Sequence, residues 1–192
     1  MIYIYHQKID RLWYAAAMED DKVCATSFGS DEQRVLKGVL ESLPYNVSFQ
    51  LADKRSQFSE KVLNAMKLMV AGESVSVDFK FEMAHLSKYS QRVLGFLAKV
   101  PVGYVTTYGD LAEVSDLAPR VVGRVMASNP FAPLIPCHRV VRSDFSIGGY
   151  GGGVETKWTI LQREDRGYKE PIKIKVDDSV LLVFPVGFVW KD

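Results

Sequence analysis

Apolar residues recur with two different periods along this chain, and the place where the period changes limits the folds that the chain can adopt. Segments 1–6, 12–17 and 22–28 are apolar and rich in aromatic residues, which predicts a small meander of strands. Apolar residues then recur at helical spacing in 35–43 and again in 58–69, which predicts two amphipathic helices. The first part of the chain is therefore expected to form an α/β unit.

Two local signals bear on the ends of these elements. Ser30 is followed three residues later by Gln33, a capping-box pattern that predicts Ser30 as the cap of the first helix. Apolar and polar residues alternate over 75–81, which predicts a further strand. Both signals are local, so the packing of the folded chain decides whether they apply.

The segment 82–88 has no strong periodicity, and the pattern after it is mainly helical. We therefore predict an N-terminal α/β domain at 1–82, in which a small sheet packs with helices, and a mainly α C-terminal domain at 83–168. Residues 169–192 are interpreted as a C-terminal extension, whose apolar stretches predict short strands around a turn at 185–187.

Three helices are predicted in the C-terminal domain, at 89–98, 108–114 and about 119–128. Thr107 can cap the second of these helices. Pro119 suits the first turn of the third, since the N–H that proline lacks would have no partner there. The tight connection between the second and third helices predicts a helix-turn-helix.

Composition and charge exclude several classes of protein. Of the 192 residues, 47% are hydrophobic and 24% are charged, which is ordinary for a globular protein. The two cysteines form no disulfide framework, and no apolar stretch approaches the roughly 20 residues of a membrane span. A net charge of +1 means that any binding to nucleic acid must use a local patch. We expect a monomeric, soluble protein of the cytoplasm, or of the nucleus in a eukaryote.

The segment 129–153 contains the residues that can carry chemistry. Three prolines stiffen the chain ahead of Cys137, and five glycines after it allow close approach of the backbone. Cys137 directly precedes His138, and a thiol with an ordinary pKa of about 8.5 needs a nearby base to form the reactive thiolate. Since adjacent side chains do not automatically meet, a turn or a bridging water is expected between the two.

A third group should orient the imidazole of His138, as in other nucleophile–base pairs. The carboxylates that follow it in the sequence are Glu155, Glu164 and Asp165. These residues by themselves leave the choice among the three carboxylates open.

The segment Pro136-Cys137-His138-Arg139-Val140 resembles the active-site signature of the O6-alkylguanine-DNA alkyltransferases. Further blocks in the order of that family extend the resemblance over about 89–164. These blocks are Val100-Pro101-x-Gly103, Thr107-Tyr108-Gly109-Asp110-Leu111-Ala112, Arg120-Val121-Val122-Gly123, Asn129-Pro130, and Gly149-Tyr150-Gly151-Gly152-Gly153 with Lys157, Ile160-Leu161 and Glu164. The resemblance implies an N-terminal domain that is a ribonuclease H-like roll, and a DNA repair protein that acts once.

The resemblance also implies the chemistry. Cys137 would accept the alkyl group from the O6 atom of guanine in double-stranded DNA, and His138 would act as the base through a water. Glu164 would hold His138, and Tyr108 would donate a proton toward the guanine as its O6 bond breaks. No cofactor is implied.

Four further residues are implied in binding DNA. Arg120 would enter the duplex as the target nucleotide rotates out, and Val122 and Gly123 would allow the helix to approach the minor groove closely. Asn129 would join this helix to the cysteine loop.

The guanine itself would be held largely by the backbone. The implied contacts are the carbonyls of Cys137 and Val140 and the N–H of Gly151, within a pocket that includes Pro133 and Tyr150. Many family members have serine at the position of Gly151, so a hydroxyl to the guanine oxygen is absent here.

The same residues also allow purely structural interpretations, and the whole chain allows two other functions. Tyr108 can be a half-buried helix residue, Arg120 a solvated charge, and Glu164 a surface partner of Lys157 or Arg163. At the level of function, a non-catalytic sensor of alkylated guanine would lack Cys137, and a cysteine hydrolase would give no reason for Arg120.

Some relatives bind zinc in the first domain, which directs attention to Cys24, His6 and His85. These candidates are scattered over about 80 residues without paired-ligand spacing. We therefore expect no metal site.

Overall fold

The computed structural model describes residues 1–191, which divide into two compact units. The first unit consists of Met1–Val70, Val75–Leu86 and Pro130–Leu134, and the second of Ala71–Ser74, Ser87–Asn129 and the chain from Ile135 onward. The predicted domain boundaries at 82/83 and 168/169 stay predictions. The chain from 169 onward is nevertheless part of the second compact unit, and the short segment before the cysteine motif is part of the first.

A five-stranded sheet forms the centre of the first unit. Strands β1 (Ile2–Ile9), β2 (Leu12–Glu19) and β3 (Lys22–Gly29) pair in antiparallel order, so the predicted meander is confirmed. The short strands β4 (Phe49–Leu51) and β5 (Lys80–Phe81) add parallel edges, which gives the order β4-β1-β2-β3-β5. Small residues in β2 and β3 leave room for the helices packed on this sheet.

Two helices pack with this sheet, α1 (Glu32–Ser42) and α2 (Gln57–Val70), as the helical spacing predicted. The cap of α1 is Asp31, whose carboxylate accepts a hydrogen bond of 2.8 Å from the backbone N–H of Arg34. The prediction of Ser30 as the cap is therefore wrong. The helix begins one residue later, because only Asp31 places its side chain over the free N–H groups of the first turn.

The strand predicted over 75–81 is present only at its end. Lys80 and Phe81 pair with Lys22 and Val23, whereas the residues before them have no strand partner. Alternation reports which side chains face inward, but a strand also needs a neighbouring backbone. Here β3 pairs only with the last two residues of the predicted strand, Lys80 and Phe81.

The second unit contains the helices α3 (Lys88–Leu97), α4 (Tyr108–Ser115), α5 (Pro119–Ala127) and α6 (Val154–Glu164). Thr107 caps α4 by accepting a hydrogen bond of 3.0 Å from the N–H of Asp110, as predicted. Asp116 ends α4 in the left-handed conformation, and α5 begins three residues later. Among residues 1–191, no helix has both the length and the apolar character that a membrane span requires.

A second sheet belongs to the same unit and was not predicted. Its order is β7-β6-β9-β8, formed by β6 (Tyr104–Thr107), β7 (Val140–Val141), β8 (Ile172–Val176) and β9 (Ser179–Pro185). The description of this part of the chain as mainly α is therefore incomplete. Strands as short as β6 and β7 carry too few residues for their alternation to be recognised.

The extension contains strands, but their arrangement differs from the prediction. β8 and β9 reverse at Asp177 and Asp178, and Val186–Phe188 form a 3-10 turn instead of the predicted hairpin turn. β9 pairs on its other side with β6, so its backbone is bonded along both edges.

The capping assignment leads to a stability prediction. Replacing Asp31 with Ala should lower the free energy of unfolding by about 1 kcal/mol, because the N–H of Arg34 loses its acceptor. Ser30→Ala is the matched control and should change it by less than about 0.5 kcal/mol. Urea unfolding of the two variants measures both values, and an equal loss in both would contradict the assignment of the cap.

Candidate active site

Cys137 lies in a 3-10 turn, Cys137–Arg139, immediately before β7. The backbone N–H of Cys137 donates to the carbonyl of Ile135 at 2.9 Å, and its own carbonyl accepts from the N–H of Val140. In a 3-10 turn, successive side chains are about 120° apart, so those of Cys137 and His138 leave the backbone in different directions. The side chains of Cys137 and His138 are both buried.

His138 is held by a carboxylate at the end of α6. Its Nε2 lies 2.9 Å from Oε1 of Glu164, and neither side chain is exposed to solvent. Arg139 contacts the same carboxylate through Nε at 3.0 Å and Nη2 at 2.8 Å, and its Nη1 donates to the carbonyl of Val100. The predicted carboxylate is thus adjacent to His138 in space, 26 residues further along the chain.

These contacts determine how the buried groups titrate. Burial alone would raise the pKa of Glu164, but His138 and Arg139 outweigh it and hold the pKa at about 2. Burial lowers the pKa of His138, although Glu164 opposes this effect. At physiological pH Glu164 is therefore an ionised carboxylate beside the neutral imidazole of His138.

The other ring nitrogen of His138, Nδ1, is buried and has no hydrogen-bond partner within the described residues. A neutral imidazole that donates from Nε2 to Glu164 carries a lone pair on Nδ1. An unpaired buried acceptor of this kind has a cost and calls for an explanation. It is available to accept a proton, directly or through a water.

The thiol of Cys137 is not a preformed thiolate. Burial raises its pKa, while a hydrogen bond from the Asn129 side chain and the charge of Lys157 lower it. Asn129 also donates from Nδ2 to the carbonyl of Ile135 at 2.8 Å, which fixes the chain two residues ahead of the cysteine. The cysteine therefore needs a base to become a nucleophile.

Lys157 is a site residue whose position the sequence reasoning missed. Its ammonium is fully buried and donates to the carbonyls of Val140 and Ile147, each at 2.6 Å, and to that of Gly149 at 3.3 Å. Burial lowers its pKa to about 8. The alternative of a surface ion pair between Glu164 and Lys157 is wrong, since both side chains are buried and have other partners. Its helical spacing with Ile160, Leu161 and Glu164 was the available signal.

Two tyrosines lie near the thiol. Tyr108 begins α4, and burial followed by the charge of Cys137 raises its pKa. The same two causes, in the same order, raise the pKa of Tyr150 further. The ring of Tyr108 also lies beside Gly148, where an added Cβ would be 3.7 Å from its Cε2 atom.

Three of the four residues predicted to bind DNA lie on two faces of α5, and the fourth, Asn129, follows the helix. Arg120 is exposed, and Gly123 is surrounded by open space, since a Cβ added there would meet no atom within 4 Å. Val122 is fully buried, so its side chain packs inside the unit and does not form a binding surface. The helical repeat places Val122 with the buried Val125 and Met126.

The predicted pocket residues belong to both compact units. Val140, Tyr150 and Gly151 belong to the second unit, where Gly151 is exposed and Val140 is buried. Pro133 belongs to the first unit and follows a cis peptide bond. Its assignment to the pocket stays a prediction.

No group of three potential metal ligands occurs within residues 1–191. Cys24 is buried in the core of the first unit, where burial raises its pKa to about 11. His6 lies 3.0 Å from Glu32 and stacks on Trp13. The expectation that the protein uses no cofactor stays a prediction.

The chain is similar in sequence and in fold to proteins of one family. A family model described as "6-O-methylguanine DNA methyltransferase, DNA binding domain" matches residues 88–166. The methylated-DNA–protein-cysteine methyltransferase of Pyrobaculum aerophilum is 51% identical over 83 residues, which are 43% of this chain and 55% of that protein. The chain thus spans little more than half the length of that relative.

Two further comparisons cover most of the chain. The methylated-DNA–protein-cysteine methyltransferase of Thermococcus kodakarensis is 32% identical over 168 residues, which are 84% of this chain and 92% of that protein. The crystal structure of Mycobacterium tuberculosis OGT in complex with DNA has a TM-score of 0.68 at 25% identity, covering 84% of this chain and 92% of that chain. The chain belongs to the methylated-DNA–protein-cysteine methyltransferase family, and the resemblance predicted from the cysteine motif is confirmed.

The buried carboxylate leads to a prediction about pH. The pKa of Glu164 is about 2 in the folded protein, against an ordinary value of 4.5. Because the pKa is lower in the folded state, the ionised carboxylate stabilises the fold above about pH 4.5, and this stabilisation is lost as the pH falls toward 2. The difference in pKa corresponds to about 3 kcal/mol of unfolding free energy. The lowered pKa of His138 acts in the same direction, since stability falls as the unfolded chain binds its proton.

Glu164→Gln should therefore lower the free energy of unfolding at pH 7 by about 3 to 5 kcal/mol and flatten its dependence on pH between about 5 and 2. Glu155→Gln, on the exposed side of the same helix, is the control and should keep the parent profile. Denaturant unfolding as a function of pH measures both. A Glu164→Gln profile as steep as that of the parent would contradict the assignment.

Proposed function

We propose that this protein repairs double-stranded DNA by moving an alkyl group from O6 of guanine onto Sγ of its own Cys137, once per molecule. One observation carries the proposal. A buried thiol precedes a buried, neutral imidazole that is bound to a carboxylate through Nε2 and leaves Nδ1 without a partner. This arrangement can remove a proton from the thiol without exposing the thiolate to water.

The proton balance follows from the contacts. A water between Sγ of Cys137 and Nδ1 of His138 relays the thiol proton to the ring, and Glu164 stabilises the imidazolium that forms. Arg139 keeps Glu164 ionised and in place. The thiolate then attacks the alkyl carbon in line, a C–S bond forms, and the C–O bond breaks with its electron pair on the guanine.

The departing guanine takes up a proton from Tyr108. The raised pKa of this phenol keeps it protonated until the C–O bond breaks. The protein therefore gains one proton at His138 and gives one from Tyr108. The product is a thioether, which the neighbouring groups cannot hydrolyse, so the cysteine is consumed.

Recognition of the guanine is assigned to the backbone of the cysteine turn and the glycine loop. The carbonyls of Cys137 and Val140 each already accept a hydrogen bond within the protein. A carbonyl oxygen has two lone pairs, so each can accept a second bond from the base. The N–H of Gly151 is the donor proposed for the guanine oxygen, and Tyr150 covers the base.

Binding to duplex DNA is assigned to α4 and α5, which we propose to act as a helix-turn-helix, with the first unit as a ribonuclease H-like roll. The exposed Arg120 fills the place of the rotated nucleotide, and the open surface at Gly123 allows approach to the minor groove. Asn129 connects this helix to the cysteine turn through its bond to Ile135. The Mycobacterium tuberculosis relative was crystallised in complex with DNA, which supports this assignment.

The first test measures stoichiometry and product. Incubation with a duplex that contains O6-methylguanine should repair one lesion per protein and increase the mass of the Cys137 peptide by one CH2 unit. Cys137→Ser should bind that duplex as tightly as the parent and transfer nothing, because the pocket and the DNA-binding helix are unchanged. Intact-mass measurement and a binding titration provide the readouts.

Two results would contradict this assignment. Product severalfold in excess of protein with an unchanged mass would instead support a hydrolase. Loss of binding in Cys137→Ser would mean that the thiol holds the pocket together.

The second test concerns Arg120. Taking a base out of the stack costs a few kcal/mol, which protein contacts must offset. If Arg120 holds the flipped state, Arg120→Ala should slow transfer from duplex DNA while leaving the reaction with free O6-benzylguanine nearly unchanged. Arg124→Ala, exposed on the same helix, is the control.

Different outcomes separate the alternatives for Arg120. A phosphate contact would weaken binding to methylated and unmodified duplexes alike, with a shallower salt dependence. Equal slowing on duplex and on free base would contradict the assignment of Arg120 to the place of the rotated nucleotide, since it would mean that Arg120 supports the Cys137 pocket.

A further inference from the structure

The residues near the end of the described chain contact the loop that follows the nucleophile. We name residues 142–149 the post-cysteine loop. The backbone N–H of Trp190 donates to the carbonyl of Phe145 at 3.1 Å, and the carbonyl of Trp190 accepts from the N–H of Ile147 at 3.0 Å. The indole Nε1 donates to the carbonyl of Asp144 at 2.9 Å. One residue thus binds three positions of this loop, and its two backbone bonds together form a parallel bridge opposite Ser146.

The post-cysteine loop contains a conformation that needs outside support. Phe145 has a φ of 64°, in the left-handed region that a bulky side chain rarely adopts. Its N–H donates to the carbonyl of Arg142, and its ring packs against those of Phe184 and Phe188 at 4.9 and 5.7 Å. Such a conformation persists only where surrounding contacts determine it. Here the contacts are hydrogen bonds within the loop, which include that from the N–H of Arg142 to the carbonyl of Ser146, together with the rings and the Trp190 bonds of the C-terminal segment.

The same loop reaches the proposed reaction site. The carbonyl of Ile147 accepts from the ammonium of Lys157, which also binds the carbonyl of Val140. Gly148, the next residue, lies beside the ring of Tyr108. The N–H of Ile147 donates to Trp190, and its carbonyl accepts from the buried ammonium of Lys157. Ile147 therefore links Trp190 to the ammonium beside the cysteine turn.

We propose that Trp190 is a positioning residue for the alkyl transfer, because it holds the post-cysteine loop in the one arrangement that keeps Lys157, the carbonyl of Val140 and Tyr108 in reacting geometry. This inference rests on the proposed function. Trp190 is not placed there mainly by burial of its apolar ring, since 47% of the residue remains exposed to solvent. Its polar bonds to the loop are its main contribution.

Three variants of the full chain test this role. Trp190→Phe keeps a ring and the backbone bonds but removes the Nε1 donor to Asp144. Deletion from Trp190 onward removes all three bonds to the loop. Lys191→Ala is the matched control, because it removes only the ion pair with Glu155 and leaves Trp190 in place.

Two readouts are measured on each variant. Hydrogen exchange of the Ile147 amide reports the order of the loop and needs no substrate. Single-turnover transfer from methylated duplex, followed as a function of protein concentration, separates the limiting rate from the affinity for DNA. The reaction with free O6-benzylguanine is measured alongside, and thermal unfolding shows that each variant is folded.

The deletion should speed exchange of the Ile147 amide about tenfold or more, since that amide loses its acceptor. The limiting transfer rate should fall about 10-fold to 100-fold, as expected for a misplacement near 1 Å, with unchanged affinity for DNA. Free O6-benzylguanine should react more slowly by the same factor. Trp190→Phe should lie between the parent and the deletion, and Lys191→Ala should match the parent.

Two outcomes would overturn the proposal. Unchanged exchange in the deletion variant would mean that Trp190 does not hold the loop. Faster exchange with an unchanged limiting rate would mean that loop order has no part in transfer. If the deletion variant does not fold, Trp190→Phe allows the same two comparisons with the parent, of Ile147 exchange and of the limiting transfer rate. Absence of transfer by the parent itself would count against the proposed function, whereas the exchange data test the loop contacts independently of it.

Discussion

The carboxylate of Glu164 is fully buried, and the second unit is organised around the groups that neutralise it. An unpaired charge in that position would be strongly destabilising, so its partners must be held in place. Arg139 binds the carboxylate and also the carbonyl of Val100, just beyond α3. His138 binds it from the same 3-10 turn. The network therefore joins α3, the cysteine turn and α6, and it orients the proposed base.

The chain after the nucleophile presents a different physical problem. Residues 142–149 follow a two-residue strand, so many of their backbone groups have no partner in a sheet. Buried backbone groups without partners are costly. Lys157 binds the carbonyls of Ile147 and Gly149, whereas Trp190 binds the carbonyls of Asp144 and Phe145 and the N–H of Ile147. An irregular loop can thereby keep a defined shape close to a reacting thiol.

Most predictions from signals within a few neighbouring residues were correct, although the cap of α1 was placed one residue too early, and predictions failed where a distant partner decides. The cap at Thr107 and the proline in the first turn of α5 depend on local backbone geometry and were predicted. The strand predicted at 75–81 lacks its partner over most of its length, and β8 was missed because its partner is β9. Lys157 could not be separated from an exposed lysine, since its burial depends on packing of the whole unit.

The sequence by itself identified the family, because a proline-framed cysteine followed by histidine stands among further blocks in the family's order, and it predicted a nucleophile and a base. It also determined the meander and helices α1 to α5, since their periodicities are local, whereas α6 was not predicted. Only the tertiary structure decided that Arg139 shares the carboxylate of Glu164 with His138, that Lys157 is buried, and that Trp190 contacts the loop after Cys137. Each of these contacts joins residues far apart in the chain. Their formation depends on packing that no short segment encodes.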